Sequence, residues 1–253
     1  MIIKRIILIM VLLMVLLIII LIILSKITIS KDNFFEPNYF LDNTSYNILS
    51  KEPLIFTIDN FLSDEECETV IEISKNKNFS RAYVLDDNNG SVINKIRTNY
   101  YNSIDNNEDI LIQYIVDKVS STIKFPSINA EPIEFVRYYK NQEFKHHFDA
   151  FKQPFLSKNQ RILTALVYLN NVEKGGETEF KNINLKIRPE KGKLLVFQNC
   201  LADNETIHPN SYHAALPVLK GEKYAFNLWY HNKSSYLFSI RLIIYNYLLR
   251  FLG

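Results

Sequence analysis

Cysteine, glycine and tryptophan are scarce in this chain of 253 residues, which contains two, six and one of them. The two cysteines, Cys67 and Cys200, are too few for a disulfide framework or for a cysteine zinc site. Because cysteine is often simply buried, we expect both as free thiols, with a disulfide between them in an oxidising compartment as the alternative. An excess of one charge is also lacking, since 29 Lys and Arg face 27 Asp and Glu. No basic stripe is present, which excludes nucleic acid as an expected partner.

A cleavage site of small residues is lacking after the long apolar run at the amino terminus, which extends from Ile6 to Leu24. The run has nineteen residues, and as a helix it would span roughly 28 Å, close to the hydrocarbon thickness of a bilayer. We therefore interpret residues 1–24 as a cytosolic tip and a transmembrane signal anchor. A cleaved signal peptide is the alternative.

The charges on the two sides of this run nearly balance, with Lys4 and Arg5 before it and Lys26 and Lys31 after it. The free amino terminus and the immediate flank favour a cytosolic amino terminus. We expect a single-pass type II membrane protein whose remaining chain lies in the lumen of the endoplasmic reticulum. Five glycosylation triplets, which an Asn-rich chain also produces by chance, support a lumenal glycoprotein weakly. They begin at Asn43, Asn78, Asn89, Asn204 and Asn232.

Three further segments follow the anchor. Residues 25–52 are polar and poor in periodic apolar positions, which is typical of a stalk or linker. A folded domain is predicted over residues 53–233. The tail 234–253 is strongly apolar, but Arg241 and Arg250 lie on opposite sides of a helix, which is unfavourable for a simple membrane span. An interfacial helix on the same membrane is expected there, with packing on the domain or on a partner chain as the alternative.

The domain pattern begins with a strand and two helices. Leu54 to Ile58 is rich in β-branched and aromatic residues and predicts a strand. Ser63, with Glu66 three residues later, forms a capping box that predicts a helix reaching Asn76. Apolar residues at a spacing of three to four predict a second helix from Asn107 to about Lys124.

From Glu131 onwards the pattern changes to short strands separated by glycine-containing turns. The predicted strands are Ile133–Tyr139, Ile162–Leu169, Asn184–Ile187, Leu194–Gln198, His213–Leu216 and Tyr224–His231. Helices followed by strands, without helical crossovers, argue against a parallel α/β sheet. The predicted fold class is α+β: a double-stranded β-helix, or jelly roll, with supporting helices on one face.

His147, Asp149 and His213 are the candidate metal ligands of the chain. In a strand, residues two apart point to the same face, so His147 and Asp149 can converge on one ion. His213 lies in another predicted strand. Two histidines and one carboxylate are the ligand set of non-haem Fe(II) oxygenases. Zinc accepts the same ligands, although zinc hydrolases usually need a nearby general base. These residues alone leave both metals open.

Ordered landmarks around the three residues resemble the collagen-type prolyl 4-hydroxylases, a group of Fe(II)- and 2-oxoglutarate-dependent dioxygenases. The resemblance extends from about Asn60 to His231. Its landmarks are the segments 60–67, 97–98, 160–164, 168–170, 175–180, 189–192, 213–218 and 221–223, together with Tyr138 before the first histidine and Trp229 near the end. Two departures are a short loop between Thr178 and Pro189 and a histidine at position 146.

The resemblance implies roles for individual residues. His147, Asp149 and His213 would bind Fe(II). Lys223 would bind the distal carboxylate of 2-oxoglutarate, with hydroxyl groups of Thr164 and Tyr138 beside it. Lysine at this position favours the collagen-type group, because several related oxygenases carry arginine there. O2 would be the oxidant and ascorbate the reductant.

The implied partner is a proline-rich or collagen-like peptide, which adopts a polyproline II helix and docks on aromatic surfaces. Arg161, Tyr139 and Trp229 are the candidate contacts, with core packing as the alternative for the two aromatic residues. The predicted function is hydroxylation of peptidyl proline with release of succinate and CO2. The alternatives are a related oxygenase acting on another residue or protein, and a catalytically silent, membrane-tethered peptide-binding jelly roll.

Overall fold

The computed structural model describes residues 14–17, 46–85, 91–92, 95–152 and 159–232. Of the apolar run Ile6 to Leu24, only residues 14–17 are included, as helix. Most of the predicted stalk and almost all of the tail 234–253 lie outside the described residues. Within the described ranges, no helix combines the length and the apolar character that crossing a bilayer requires.

In the described residues from 46 to 232, two α-helices, short 3₁₀ turns and sixteen strands make up the fold. Helix α1 is Asp64–Lys75 and helix α2 is Ile110–Thr122. The strands are β1 Asn47–Lys51, β2 Leu54–Ile58, β3 Ser80–Arg81, β4 Val84–Leu85, β5 Ser91–Val92, β6 Tyr100–Ile104, β7 Ile133–Tyr138, β8 Phe144–His147, β9 Arg161–Tyr168, β10 Lys174–Gly175, β11 Thr178–Phe180, β12 Leu185–Ile187, β13 Leu194–Gln198, β14 His213–Ala215, β15 Val218–Lys220 and β16 Lys223–His231.

Most of these strands form two sheets. The larger has eight strands in the order β1-β2-β13-β9-β16-β7-β6-β3, and the smaller has four in the order β12-β11-β14-β8. Their neighbouring strands are antiparallel. Antiparallel strands joined without helical crossovers give the mostly β architecture that the sequence predicts.

The larger sheet is buried on both faces. In β9, Leu163, Ala165 and Val167 belong to one core, whereas Leu166 and Tyr168 belong to another. The first core also contains residues of α1 and α2, and the second contains Phe180 and Ile187 of the smaller sheet. Because side chains alternate along a strand, the two cores lie on opposite faces. The helices therefore cover one face, as predicted, and the smaller sheet covers the other.

The two helices begin at side-chain caps. Ser63 accepts a hydrogen bond from the amide of Glu66, and the Glu66 carboxylate accepts one from the amide of Ser63. The predicted capping box is thereby confirmed. In α2 the carboxylate of Asp109 accepts hydrogen bonds from the amides of Leu111 and Ile112. This cap starts the helix three residues later than the predicted Asn107.

Several segments differ from the sequence-based expectations, and three of them bear on the sheets and the site. Asn47–Lys51 pairs with β2 as an edge strand, so the last residues of the predicted stalk 25–52 belong to the sheet. Its side chains are largely exposed, which explains its polar sequence. Strand β6, Tyr100–Ile104, was not predicted. Asp149 lies in a bend beyond β8 and not on the same strand as His147.

Both cysteines are buried free thiols, as expected. Burial raises the pKa of Cys67 to about 11 and that of Cys200 to about 12. At neutral pH both therefore remain protonated and chemically inert.

Candidate active site

His147 and His213 face each other across two neighbouring strands of the smaller sheet. His147 ends β8, His213 begins β14, and the two residues are directly paired in the register. Their rings lie 4.4 Å apart between centroids. The bend after β8 brings Asp149 to both, with its Oδ1 3.4 Å from His147 Nε2 and its Oδ2 3.7 Å from His213 Nε2. One donor atom from each residue lies within 4.8 Å of the others.

Backbone carbonyls orient both imidazole rings. Nδ1 of His147 is 2.8 Å from the carbonyl oxygen of Lys145, and Nδ1 of His213 is 2.9 Å from that of Ser211. A neutral ring that donates from Nδ1 keeps an unprotonated Nε2, which is the form that binds a metal. Burial and the nearby His147 lower the pKa of His213 to about 4, although Asp149 acts in the opposite direction.

Asp149 completes the donor set as a buried carboxylate. Burial alone would raise its pKa, but when the rings carry their extra protons, attraction to His213 and a hydrogen bond from His147 hold the pKa well below its usual range. Two neutral imidazoles and one carboxylate fit Fe(II) and leave positions open for other ligands. The residues present therefore fit the metal that the sequence predicts.

A cavity extends from this triad between the two sheets, with about 430 Å³ of empty space, part of it open solvent, and is lined by His147, Asp149, His213 and Lys223 among others. Lys223 starts β16 and is paired in the register with Tyr138, the last residue of β7. Its amino group donates to the carbonyl oxygen of Gly176 at 2.8 Å and lies 5.3 Å from the ring centroid of Tyr138. Among the described residues Lys223 makes no salt bridge. It therefore has N–H groups to offer an anion.

Burial lowers the pKa of Lys223 to about 7, although Glu177 acts in the opposite direction. Burial also raises the pKa of Tyr138, so its hydroxyl group keeps its proton. The structure thus places two of the three predicted cosubstrate residues, Lys223 and Tyr138, in one cavity.

Thr164 is not among the residues that line that cavity, and its predicted cosubstrate role stays a prediction. Its hydroxyl group donates to Asp149 Oδ2 at 2.7 Å. Thr178, which the sequence analysis did not select, lines the cavity with Lys223. The hydroxyl group of Tyr168 donates to Thr178 Oγ1 at 2.7 Å, which leaves the hydroxyl proton of Thr178 free for another acceptor. The sequence could have indicated Thr178, because it lies in the landmark Gly175 to Phe180, two residues after the Gly176 whose carbonyl oxygen binds Lys223.

A wider groove of about 1290 Å³, part of it open solvent, begins on the other side of the triad. His147, Asp149 and Phe144 line both spaces. The remaining lining is rich in aromatic rings and cations, including Tyr83, Phe148, Phe151, Tyr212, Arg97, Lys152 and Arg161. An aromatic groove with cations that opens onto the triad fits an extended peptide.

Arg161 lines this groove, and its guanidinium is held in place by Glu131 and Trp229. Its guanidinium donates to both oxygens of Glu131 at 2.5 and 2.7 Å and stacks 3.9 Å from the ring of Trp229. His231 Nε2 lies 2.6 Å from the same carboxylate. Burial alone would raise the pKa of Glu131, but Arg161 and His231 lower it to about 2. This carboxylate therefore stays ionised and fixes the guanidinium.

The other two predicted peptide contacts are placed differently. Trp229 is 7% exposed and lies under the Arg161 guanidinium. Tyr139 is 41% exposed, but it packs on Arg137 and does not line the groove. Of the three candidates, the structure brings only Arg161 to the groove, because Trp229 is beneath it and Tyr139 lies beyond the end of β7.

Comparisons with known proteins agree with this geometry. Residues 133–231 match the family described as the 2OG-Fe(II) oxygenase superfamily. The chain is 34% identical to probable prolyl 4-hydroxylase 7 of Arabidopsis thaliana, over 78% of this chain and 68% of that one. It is 32% identical to a putative prolyl 4-hydroxylase of Acanthamoeba polyphaga mimivirus, over 70% and 74% of the two chains. The viral collagen prolyl hydroxylase of Paramecium Bursaria Chlorella virus-1, solved with 2-oxoglutarate, superposes with a TM-score of 0.59 at 28% identity, covering 70% of this chain and 95% of that one.

Proposed function

The chain belongs to the prolyl 4-hydroxylases of the 2OG-Fe(II) oxygenase superfamily, and from this premise we propose how its residues hydroxylate a peptide held in the groove. The protein is a 2-oxoglutarate-dependent dioxygenase that acts on proline and uses Fe(II). O2 and ascorbate are typical of the family. When bound, Fe(II) and 2-oxoglutarate supply the oxidation: 2-oxoglutarate is converted to succinate and CO2, and the two atoms of O2 enter succinate and the new hydroxyl group on the proline ring.

His147, Asp149 and His213 hold the metal in this proposal. The single observation that carries it is the convergence of the three side chains, with donor atoms within 4.8 Å of one another at the junction of cavity and groove. The position of the triad exposes a bound metal to the cosubstrate on one side and to the peptide on the other.

Lys223 binds the distal carboxylate of 2-oxoglutarate, and Thr178 and Tyr138 add hydroxyl donors. Among the residues that the structure describes, no carboxylate forms a salt bridge with this buried amino group, so an incoming dicarboxylate can supply that partner. A charge-assisted bond in such surroundings is stronger and more selective than one at the surface.

The aromatic groove binds the peptide. A proline-rich or collagen-like segment adopts a polyproline II helix, whose rings pack well on aromatic side chains. Arg161, fixed by Glu131, offers N–H groups at the edge of this groove and can donate to a peptide carbonyl. The Paramecium Bursaria Chlorella virus-1 protein, named as a viral collagen prolyl hydroxylase, supports the same substrate class.

Succinate release from 2-oxoglutarate tests the proposal, measured with and without a (Pro-Pro-Gly)-type or Ser-Pro-rich peptide. We expect the peptide to stimulate succinate release and to gain one oxygen atom on proline. His213→Ala should abolish both. Hydroxylation of a different residue would indicate the related-oxygenase alternative, and metal binding without any peptide-dependent turnover would indicate the silent peptide-binding module.

We further propose that the enzyme is anchored by Ile6 to Leu24 as a type II membrane protein with its catalytic domain in the lumen of the endoplasmic reticulum. The support is the length of the apolar run and the flanking charges. In sealed microsomes, residues 53–231 should resist protease until detergent is added. Digestion without detergent would place the domain in the cytosol and would argue for a cytosolic substrate.

A further inference from the structure

Asn199 is a fully buried residue that follows the last residue of β13. Its side-chain amide donates to Thr164 Oγ1 at 2.8 Å, and Thr164 in turn donates to Asp149 Oδ2 at 2.7 Å. The donor and acceptor roles in these two hydrogen bonds follow from the carboxylate of Asp149. An ionised carboxylate only accepts hydrogen bonds, so Thr164 must use its one proton there and must accept from an N–H group of Asn199.

The backbone of Asn199 is connected to a second member of the triad. Its carbonyl oxygen accepts a hydrogen bond from the amide of His208 at 2.9 Å, and the hydroxyl group of Ser211 lies 3.3 Å away. His208 starts the short helical turn Pro209–Ser211. The carbonyl oxygen of Ser211 then orients His213 through Nδ1 at 2.9 Å. One residue is thus linked to Asp149 through its side chain and to His213 through its main chain.

We propose that Asn199 and Thr164 are positioning residues that hold Asp149 in the geometry required for metal binding. The inference rests on the metal site of the proposed function. Asp149 lies in a bend outside the strand pairing that positions the two histidines, and the 2.7 Å hydrogen bond from Thr164 is shorter than its 3.4 and 3.7 Å separations from their Nε2 atoms. We therefore assign the orientation of the carboxylate mainly to Thr164. Asn199 keeps the proton of Thr164 directed at the carboxylate. Partners of this kind typically change metal affinity by roughly 10–100-fold when removed.

Asn199→Asp is the sharpest test, because it keeps the shape of the side chain and removes the N–H donor. A carboxylate at this position would compete for the proton of Thr164 and free Asp149 to rotate. Thr164→Val removes the link while keeping its volume, and Thr164→Ser restores the hydroxyl group. Ser120→Ala is the control. It removes a buried hydrogen bond of 2.8 Å between Ser120 and Tyr230, neither of which contacts the triad.

The readout is Co(II) affinity of the full-length protein in detergent, followed by the visible absorption of the metal and by competition with a chelator. We expect Asn199→Asp and Thr164→Val to weaken binding by roughly 10–100-fold, with Thr164→Ser and Ser120→Ala close to the unmodified protein. Circular dichroism shows whether each variant is folded. If Asn199→Asp does not fold, the Thr164→Val and Thr164→Ser pair decides.

Two failures are distinguishable. Unchanged Co(II) affinity in His213→Ala would overturn the proposed metal site itself. Loss of binding in His213→Ala with unchanged affinity in folded Thr164→Val and Asn199→Asp would leave the metal site in place and overturn the positioning role.

Discussion

Lys223 shows what a single buried side chain contributes to this site. Its pKa of about 7 is far below the ordinary value near 10.4 for lysine. Between these two pH values the unfolded chain binds a proton that the folded chain does not, so the contribution of this group to stability rises with pH across that window. A bound dicarboxylate favours the charged lysine and raises its pKa again.

The first prediction follows from this linkage. At pH 8 the binding of 2-oxoglutarate should take up a proton at Lys223, and affinity should fall as pH rises above about 7. Calorimetry in buffers of different ionisation enthalpy measures the uptake. Lys223→Met should abolish it, whereas Lys220→Met, at an exposed lysine paired with Glu173, should not. Equal proton uptake in all three proteins would assign the titration to another group.

The second prediction separates the two threonines. Thr178→Val removes a hydroxyl group from the cosubstrate cavity, a loss of about 0.5–1.5 kcal/mol, so KM for 2-oxoglutarate should rise about twofold to tenfold with little change in kcat. Thr178→Ser should behave like the unmodified enzyme. Steady-state succinate release at saturating Fe(II) measures both constants. A rise in KM for Thr164→Val but not for Thr178→Val would support the assignment of Thr164 to the cosubstrate.

At the scale of elements, the capping box of α1 contributes stability without touching the chemistry. Ser63→Ala removes a side-chain acceptor from the first turn, and we expect the free energy of unfolding to fall by about 1 kcal/mol. Peptide hydroxylation below the unfolding transition should not change. Urea denaturation measures the difference, with Ser103→Ala at an exposed position of β6 as the control. An unchanged midpoint would mean that water replaces the cap.

Sequence patterns predicted the elements whose burial is regular. Leu54–Ile58 and Leu194–Gln198 agree with the structure at both ends, because continuous burial selects β-branched and large apolar residues. The polar edge strand β1 was missed, since few of its side chains are buried. A local sequence pattern predicts a strand when its side chains enter a core. Backbone pairing at the edge of a sheet imposes little pattern on the sequence.

The site could be predicted to the level of residue types and order along the chain. The triad, Lys223 and Tyr138 were selected from the sequence, and the structure brings them to one cavity. Thr164 and Thr178 could not be told apart in the same way, because their positions depend on the register of β9 and β11 with distant strands. Trp229 was a candidate peptide contact with core packing as the alternative, and the stacking of Arg161 over its buried ring favours that alternative.

At the scale of the whole molecule, the position of β1 determines where a soluble catalytic domain can begin. A chain that starts at Tyr46 keeps β1 and the contact between the rings of Tyr46 and Phe56, whose centroids are 5.9 Å apart. A chain that starts at Lys51 loses both and should be less stable by at least the roughly 0.5–1.5 kcal/mol of such an aromatic pair. Thermal unfolding of the two proteins measures this. Equal Tm values would show that β1 is dispensable.

The two faces of the eight-stranded sheet have different roles: one packs against the helices and contributes stability, and the other carries the catalytic site. In β9 and β16, the residues that face the helices, such as Leu163 and Phe226, only fill the core. Thr164 and Lys223, on the same strands, belong to the catalytic side. Substitutions on the helix side can therefore adapt the temperature range of the enzyme while its reaction stays the same. A lineage that carries this fold can tune thermal tolerance and substrate choice on opposite faces of the same strands.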